Sequence, residues 1–386
     1  MDFRLSDDQQ ELRRAARDFA RAELPVVAAA LERDNQPPPR DLIRRYGQMG
    51  FLGINVPEAL GGLGLGNLDA LIVLEEFAKV SSAVAFPIFE SMVGPVRAVE
   101  RFASESLKQR IVPLVCSGKM IVAVAMSEPD AGSALTDLTT RATIDGDQII
   151  INGTKRWCSG GGHSDAYVVY CRLSDDPGAK GIGAVLVEKD APGLSFGPNE
   201  HLMGFRGIPS ADLNFDQCRV PIDNLVVPAG GFKRLMEAFD LERCGNATMA
   251  LGQASGALED ILIYVEERRQ FGKQLAEFQA VQLKLAEMQM KVEAARLLIW
   301  RAAANAEDGL PSILDSSLGK CFANTIAREV TGDALQLMGA YGYSKEFPME
   351  RRFRDSWGWG IAGGAIDIQK VNIAGAMLGR RFDQRR

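Results

Sequence analysis

A stripe of apolar residues between positions 281 and 299 constrains the fold of this chain more than any other feature. Its members recur at alternating steps of four and three: Val281, Leu285, Met288, Val292, Ala295 and Ile299. This spacing places them along one face of an α-helix, as in the seam of a helix bundle. The preceding segment 247–257 is crowded with Ala, Gly and Ser, which allow a second helix to approach closely. The last third of the chain is therefore predicted to be helical.

The middle of the chain follows a strand-like pattern instead. Short runs typical of strands cover 120–126, 139–144, 148–152, 166–172, 181–188 and 211–215. Asp145-Gly146, between the second and third runs, is a strong signal for a tight hairpin turn. Repeated short strands joined by tight turns predict a small barrel or sandwich that ends near Pro228.

A helical segment precedes these strands. Ser6 and Gln9 form a capping-box signature, and the helix they start is predicted to reach about Ala30. Further helical patterns continue to about residue 119. The sequence therefore predicts an α+β multidomain protein with three domains, at 1–119, 120–228 and 229–386.

Composition limits the class of function. The chain has 386 residues, of which 46% are hydrophobic and 24% charged, as in ordinary globular proteins. Its net charge of -6 argues against non-specific binding to nucleic acid. Six scattered cysteines and two histidines show no metal-ligand spacing, so carboxylates or a cofactor should carry any chemistry. Without an apolar signal segment or a run of about 18 apolar residues, a soluble cytoplasmic protein is expected.

Three stretches combine residues suited to a ligand. Residues 126–133 follow a strand and offer amides and hydroxyls at a sharp turn, although an ordinary β-turn would look the same. Residues 156–162 combine a tryptophan, a hydroxyl and three glycines, which could cover an aromatic ring or form a core edge and loop. Residues 267–272 end in a cationic segment that could hold phosphates or be a solvated charge run.

Together, and in this order, these stretches resemble the acyl-CoA dehydrogenase family over nearly the whole chain. Five segments carry the resemblance: Ser127 to Ser133, Asn152 to Trp157, Arg268 to Gly272, Gln336 to Gly342, and Arg354-Asp355. The resemblance implies an N-terminal α-helical domain, a central β-barrel and a C-terminal four-helix bundle. It also implies a homotetramer that binds FAD between the barrel and the C-terminal helices.

The resemblance assigns roles to particular positions. The residues implied to contact FAD are Met126, Ser127, Gly132, Ser133, Trp157, Ser159, Arg268, Phe271, Gln336 and Gly339. Trp157 would pack against the isoalloxazine ring, Ser159 would bond flavin N5, and Ser133 would also lie near the CoA pyrophosphate. The last four would reach the FAD of a neighbouring subunit. Asp240 and Arg243 match positions that contact acyl-CoA, and an electron-transferring flavoprotein is the implied electron acceptor.

The chain departs from the family where the catalytic carboxylate usually lies. Most members carry it in a Tyr-Glu-Gly-Thr stretch, whereas this chain has Gly363 at that place. A subgroup that includes isovaleryl- and long-chain-type enzymes places the base on the bundle helix, at the position of Glu242. The resemblance therefore implies Glu242 as the base in forming a trans-2-enoyl-CoA. A surface acid paired with Arg243 or with a residue one turn away is the alternative, and Asp367 is a rival base that we expect to cap the last helix instead.

The pair Gly363-Gly364 also removes bulk beside the implied acyl site, which favours a branched, aromatic or otherwise bulky acyl chain. Phe86 and Phe89 would suit an apolar tail, and Glu90 would oppose a dicarboxylate. Two other functions stay open. Residues 361–364 and 205–209 also resemble acyl-CoA desulfinases, although Phe86 stands where a sulfinate-binding cation is expected. The chain could also be a non-catalytic subunit of a hetero-oligomer.

Overall fold

The computed structural model describes residues 4–306, 308–380 and 382, so the outer ends of the first and third predicted domains lie partly outside it. Six helices form the N-terminal part: α1 (Asp7–Asp34), α2 (Arg40–Gln48), α3 (Asn67–Val80), α4 (Ser82–Met92), α5 (Val96–Phe102) and α6 (Glu105–Cys116). The predicted capping box starts α1, because the Gln9 amide donates to Ser6 Oγ (3.2 Å) and the Ser6 amide donates to Gln9 Oε1 (3.1 Å). The helix runs four residues past the predicted end at Ala30.

The central part is one mixed sheet of eight strands. They are β1 (Val122–Ala125), β2 (Arg141–Asp145), β3 (Gln148–Ser159), β4 (Ala166–Arg172), β5 (Ile182–Glu188), β6 (Leu194–Phe196), β7 (Ser210–Pro221) and β8 (Leu225–Val227). Each of the six predicted strand regions overlaps one of these strands, and β2 and β3 form the predicted hairpin. The sequence patterns did not predict β6 and β8, which have three residues each.

The predicted closed barrel is not what the strand pairing shows. The hydrogen-bonded order is β6-β7-β3-β2-β4-β5-β8, with β1 added in parallel to β4. Within the described part of the chain, β6 and β8 are therefore the edge strands of an open sheet. Both strands are short, so few backbone hydrogen bonds could form between them to close the sheet.

The two faces of β4 pack against different parts of the molecule. Ala166, Val168 and Tyr170 belong to a core shared with α5 and α6, which also includes Leu235. Tyr167, Val169 and Cys171 instead pack in a core with β3 and β7. The alternation of side chains along a strand produces this division and directs Tyr170 towards the helices.

The C-terminal part is helical apart from one small hairpin. Its elements are α7 (Phe232–Glu267), β9 (Arg269–Gln270), β10 (Lys273–Gln274), α8 (Gln279–Ala304), α9 (Ile313–Met338), α10 (Ala340–Tyr343), α11 (Met349–Trp359) and α12 (Ile366–Met377). Three of these helices are long, and α9 packs against α7, α8, α11 and α12. None of the helices in the described residues has the length and apolarity needed to cross a membrane.

Close packing explains the sequence patterns of α7 and α8. Met288, Val292, Ala295 and Ile299 of the apolar stripe are buried, whereas Val281 and Leu285 are half-buried against the same core. The small residues of α7 let α3 approach: a side chain at Gly252 would collide with Ala78. This tight contact fixes α7, the helix that carries Glu242.

Candidate active site

Glu242 lies on α7. The residue is partly accessible to solvent, but its carboxyl group is closely surrounded by protein atoms. Burial raises its pKa to about 8, although the positive charges of Lys320 and Arg243 act in the opposite direction. A carboxyl group with this proton affinity can exchange a proton near neutral pH, as a general base requires.

Lys320 of α9, which the sequence patterns did not single out, is a cation that acts on the pKa of Glu242. It is fully buried, and its Nζ donates to the carbonyl oxygen of Ala362. Asn246 Nδ2 donates to the same oxygen (3.2 Å), and Asn324 Nδ2 donates to Asn246 Oδ1 (3.0 Å). Glu242 precedes Asn246 by one turn on the same face of α7. Burial, together with the positive charge of Arg243, lowers the pKa of Lys320 to about 7, although the negative charge of Glu242 acts in the opposite direction.

A sequence signal for Lys320 exists in retrospect. Ser316, Lys320 and Asn324 recur every four residues in α9, so they share one helix face, and all three are fully buried. A buried polar stripe on a helix requires partners across the interface. Their partners Asp240, Ala362 and Asn246 lie 76, 42 and 78 residues away along the chain, which is why the pattern alone did not identify them.

Gly363 opens onto the same cluster. Both Gly363 and Gly364 have positive φ angles, of 66° and 87°. A side chain at position 363 would start 3.2 Å from Lys320 Nζ and 3.4 Å from Asn246 Nδ2. The usual family position for the catalytic carboxylate therefore adjoins the buried amine of Lys320, whose charge also acts to lower the pKa of Glu242.

Asp240 and Arg243 form a pair of their own beside Glu242. The Asp240 carboxylate accepts a hydrogen bond from Arg243 and another from Ser316 Oγ (2.8 Å), and both members of the pair are buried. Burial raises the pKa of Asp240, although Arg243 and Ser316 act against the shift. Arg243 is thus engaged by Asp240, which is not the arrangement of a surface Glu242 paired with Arg243.

Glu90 approaches the same face of α7 from α4. Phe89 of α4 and Val93, which follows this helix directly, occupy the space that a side chain at Gly245 would need, and Gly245 lies three residues after Glu242. Glu90 is buried, and its Oε2 has no hydrogen-bond partner among the described residues. Burial, with the negative charge of Glu242, raises the pKa of Glu90 well above its usual range.

The rival base Asp367 lies outside this cluster. Its side chain is 90% exposed and pairs with Lys370 (3.1 Å). It occupies the first turn of α12, whose N-cap is Ala365, so the prediction that Asp367 caps this helix was wrong. A carboxylate in water lacks the burial that raises proton affinity.

Residues 126–133 are tied to β3 by a buried ion pair. Lys155 is fully buried, and its Nζ donates to the Met126 carbonyl oxygen (2.9 Å) and to Glu128 Oε1 (2.8 Å). Glu128 also accepts from the amides of Thr139 and Thr140. Burial alone would raise the pKa of Glu128, but Lys155 and these hydrogen bonds outweigh burial and lower it to about 2.

Trp157 stands out from β3 at an irregularity in the strand pairing. The register with β7 shifts between Lys155 and Cys158, and Trp157 has a φ angle of 62°. Its ring is 52% exposed, with the Arg156 guanidinium 4.4 Å from the ring centre. The Arg156 amide donates to the Ser127 carbonyl oxygen (2.9 Å), which brings the first two predicted stretches together.

The remaining predicted residues of these stretches are accessible. Gly132 and Ser133 are exposed, and nothing lies within 4 Å of a side chain built on Gly132. Ser159 is half-buried at the end of β3, opposite Ser210 of β7. An exposed ring, open backbone and nearby hydroxyls suit a flat ligand with polar edges.

Arg268, Phe271, Gln336 and Gly339 form a second group at the ends of α7 and α9. The Arg268 guanidinium lies 5.5 Å from the ring centre of Tyr341, which follows Gly339 by two residues. Gln336 and Gly339 are exposed. Phe271, between β9 and β10, is 93% exposed with a φ angle of 53°. These residues therefore present a cation and an aromatic ring outwards from the chain.

No three His, Cys, Asp or Glu side chains in the described ranges lie close enough to hold a metal ion.

The match to known protein families identifies the fold. Family models described as the N-terminal, middle and C-terminal domains of acyl-CoA dehydrogenase match residues 6–119, 123–218 and 229–378. This chain belongs to the acyl-CoA dehydrogenase family. It is accordingly an oxidoreductase.

Two relatives illustrate the range of the family. A probable acyl-CoA dehydrogenase, fadE25 of Mycobacterium leprae, is 39% identical over 378 residues, covering 97% of both proteins. A 3-sulfinopropanoyl-CoA desulfinase of Paraburkholderia xenovorans is 38% identical over 389 residues, covering 100% of this chain and 99% of the relative.

Solved structures share the fold. Butyryl-CoA dehydrogenase from Megasphaera elsdenii has a TM-score of 0.94 and 32% identity, covering 98% of this chain and all of that one. An FAD complex of PigA has a TM-score of 0.92 and 27% identity, covering 98% and 99% of the two chains. FAD is the cofactor of this family member, and the exposed Trp157 ring beside the open loop 126–133 fits a flat flavin.

Proposed function

We propose that this chain oxidises an acyl-CoA thioester to a trans-2-enoyl-CoA, with Glu242 as the base that removes the α-proton. One observation carries the proposal: a carboxyl group with raised proton affinity lies on α7, while glycine fills the other family position for the base. This placement supports assignment of the chain to the subgroup with the base on the bundle helix.

The chemistry asks the protein for a base that can take a proton from a weakly acidic C–H bond. Burial of Glu242 makes its carboxylate bind a proton more tightly than a carboxylate in water does. FAD, when bound, supplies the acceptor for the β-hydrogen as hydride. The protein's own part is to hold Trp157 outwards, with Arg156 joined to the loop that contains Met126 and Ser127.

The other predicted contacts follow from the same arrangement. Ser159 and Ser133 offer hydroxyls beside the Trp157 platform, and Gly132 leaves room for close approach of a ligand. Asp240 and Arg243 lie next to Glu242, where they could position the acyl-CoA. We assign Ser133, Asp240 and Arg243 to acyl-CoA binding on this basis.

The acyl chain is proposed to be branched, aromatic or otherwise bulky. Gly363 and Gly364 contribute no side chains next to the Glu242 cluster, and Phe86 stacks on Phe89 with ring centres 5.7 Å apart. The buried Glu90 has no cationic partner among the described residues, so the carboxylate of a dicarboxylic acyl chain would meet a second acid there. An uncharged tail suits these surroundings.

We also propose a homotetramer with an electron-transferring flavoprotein as its electron acceptor, in the cytoplasm. The exposed end of the bundle where Arg268 and Gly339 lie supports contact with the FAD of a neighbouring subunit. An exposed apolar stripe on α8 supports assembly, because its members recur every seven residues: Leu283, Met290 and Leu297.

Desulfination of a sulfinoacyl-CoA is the second candidate, favoured by the 38% identity with the desulfinase. A sulfinate needs a cation, whereas Phe86 and Glu90 supply an apolar ring and an acid on α4. A non-catalytic role in a hetero-oligomer is the third candidate, favoured by Gly363. Glu242 and the exposed flavin-site residues weigh against it.

Anaerobic titration of the purified protein with acyl-CoAs tests these functions. The panel comprises straight-chain, branched, aryl-propionyl and sulfinopropionyl thioesters, and the visible absorbance of the flavin is recorded. Glu242→Gln should slow flavin bleaching by about 10²- to 10⁴-fold, the usual contribution of a general base. Glu237→Gln is the matched control, since Glu237 lies on the same helix with a half-exposed side chain paired to Lys233. A yellow protein that no saturated acyl-CoA bleaches would overturn the dehydrogenase proposal.

A further inference from the structure

We propose that Arg40, the first residue of α2, is a positioning residue for the flavin site. It fixes the turn 160–165 and thereby the proposed flavin contacts Ser159 and Trp157. The inference rests on the part of the proposed function that assigns these two residues to the flavin, and it is independent of the identity of the base. It gives a role to an arginine of the N-terminal helices that none of the sequence motifs includes.

The Arg40 guanidinium bonds three oxygens of the turn that joins β3 to β4. Its Nη1 donates to Asp165 Oδ2 (2.6 Å), and its Nη2 donates to Asp165 Oδ1 (3.1 Å) and to the His163 carbonyl oxygen (2.7 Å). Paired bonds between a guanidinium and a carboxylate fix orientation as well as distance. The added bond to the carbonyl oxygen holds the backbone of the turn itself.

The contact has a firm support on both sides. α2 packs directly on the end of α6, since a side chain at Gly47 would lie 2.5 Å from the Ser117 carbonyl carbon. On the other side, the Ile121 amide donates to Asp165 Oδ2 (2.7 Å). Arg40 and Asp165 therefore join the N-terminal helices to the sheet at this turn.

Close packing within the turn carries this constraint to Ser159. Arg40 bonds the residues on either side of Ser164, and a side chain at Gly160 would lie 2.1 Å from Ser164 Oγ. The Gly160 carbonyl oxygen accepts hydrogen bonds from the amides of His163 (2.9 Å) and Ser164 (2.8 Å). Gly160 directly follows Ser159 in the chain. A shift of the His163 carbonyl oxygen would therefore move the backbone next to Ser159.

The side chains of the turn offer little other anchorage to the helices. His163 Nε2 is buried without a hydrogen-bond partner in the part of the chain that the structure describes. The Tyr167 hydroxyl donates to the Gly160 carbonyl oxygen (3.1 Å) and accepts from the Gly162 amide (3.0 Å). Because Tyr167 belongs to β4, it ties the turn to the sheet, whereas Arg40 ties the turn to α2.

Release of FAD on dilution of the holoprotein, followed by flavin fluorescence, tests this role. In Arg40→Met the turn should adopt its binding conformation in a smaller fraction of molecules, and the apparent dissociation constant rises by the inverse of that fraction. We expect the dissociation constant of FAD to rise about tenfold, which corresponds to a fraction of about one-tenth. Arg40→Lys should give a smaller rise, because an ammonium keeps the charge but lacks the planar fork of donors.

Arg45→Met is the matched control. Arg45 lies on the same helix and also makes a two-bond ion pair, with Glu23 (3.2 and 3.1 Å), but it bonds no residue of the turn. The dissociation constant of FAD should be unchanged in Arg45→Met. An equal rise in both variants would show a general weakening of α2 and would overturn the proposal for Arg40.

Hydrogen exchange measured at saturating FAD reports on the turn without turnover. In Arg40→Met the amides of residues 162–164 should exchange about tenfold faster, because exchange follows the local opening equilibrium. The amides of the β2–β3 hairpin should be unchanged. Unaltered exchange at 162–164 would overturn the proposal.

Faster exchange with an unchanged dissociation constant of FAD would also overturn the proposal, and it would place the error in the assignment of Ser159 and Trp157 to the flavin. Failure of the proposed dehydrogenation looks different. Undiminished flavin bleaching in Glu242→Gln would remove the base, whereas the dissociation constant and the exchange rates of Arg40→Met do not depend on turnover.

Discussion

Glu128 with Lys155 and Glu242 with Lys320 each combine a glutamate with a buried lysine, and they differ in how completely the carboxylate is bonded. Glu128 accepts from Lys155 and from Thr139 and Thr140, and its pKa is lowered to about 2. Glu242 has Lys320 nearby, but that amine donates to a carbonyl oxygen instead, and the pKa of Glu242 is raised to about 8. Both lysines are fully buried.

The difference shows that burial alone does not decide what a charged pair does. Hydrogen bonds to the ionised carboxylate stabilise its charge, and without them desolvation dominates. The Glu128 pair is therefore suited to holding the loop 126–133 on β3. The Glu242 arrangement retains the proton affinity that a base requires, at a cost in stability.

The largest expected effect comes from breaking the bonded pair. Lys155→Met should leave Glu128 buried without its cation and lower the free energy of unfolding by about 3–5 kcal/mol. Urea denaturation measures this change. The double variant Lys155→Met/Glu128→Gln should lose less than Lys155→Met alone, because no unpaired charge then remains. Equal losses in the two proteins would contradict a paired role for Glu128.

Removing the poorly bonded carboxyl group should have the opposite sign. The folded-state pKa of Glu242, about 8, lies above its ordinary value of 4.5, so the folded protein loses stability as pH rises through this window. Glu242→Gln should therefore be more stable than the unaltered protein at pH 8, by about 1–3 kcal/mol after allowance for partial solvent contact. The gain should nearly vanish at pH 4.5. If the gain in stability does not depend on pH, it does not arise from the ionisation of Glu242.

The smallest effect concerns the backbone beside Lys320. Gly363→Ala forces a side chain onto a φ angle of 66°, which should cost about 1–2 kcal/mol in thermal or urea unfolding. Gly319→Ala is the matched control. Gly319 lies inside α9, and a side chain there meets only ordinary contacts at 3.6 Å, so it should gain up to about 1 kcal/mol. An unchanged free energy of unfolding in Gly363→Ala would show that the backbone at position 363 adjusts freely.

Local patterns allowed much of the fold to be predicted. The capping box at Ser6, the Asp145-Gly146 hairpin and the apolar stripe of α8 depend on neighbours in the chain, and the structure confirms all three. Barrel closure depends on pairing between distant strands, and the short β6 and β8 carry little signal of their own.

The candidate site likewise contains residues that local motifs predict and residues whose role depends on distant contacts. Trp157 and the loop 126–133 were identified because contiguous motifs contain them. Lys320 was missed because its relation to Glu242 spans 78 residues and because lysine is rarely buried. Glu90 was identified only by its place in the chain. Its isolation from partners depends on how α4 packs against α7, which no local pattern records.

The two adjacent glycines at 363 and 364 have a consequence for the history of this enzyme. Both adopt backbone conformations that other residues enter only at a cost, so a carboxylate could be introduced at position 363 only by a destabilising substitution. If Glu242 is the base, as proposed, a descendant that lost it would not easily gain a base at the usual family position by a single mutation. The glycine pair would then leave the lineage dependent on α7.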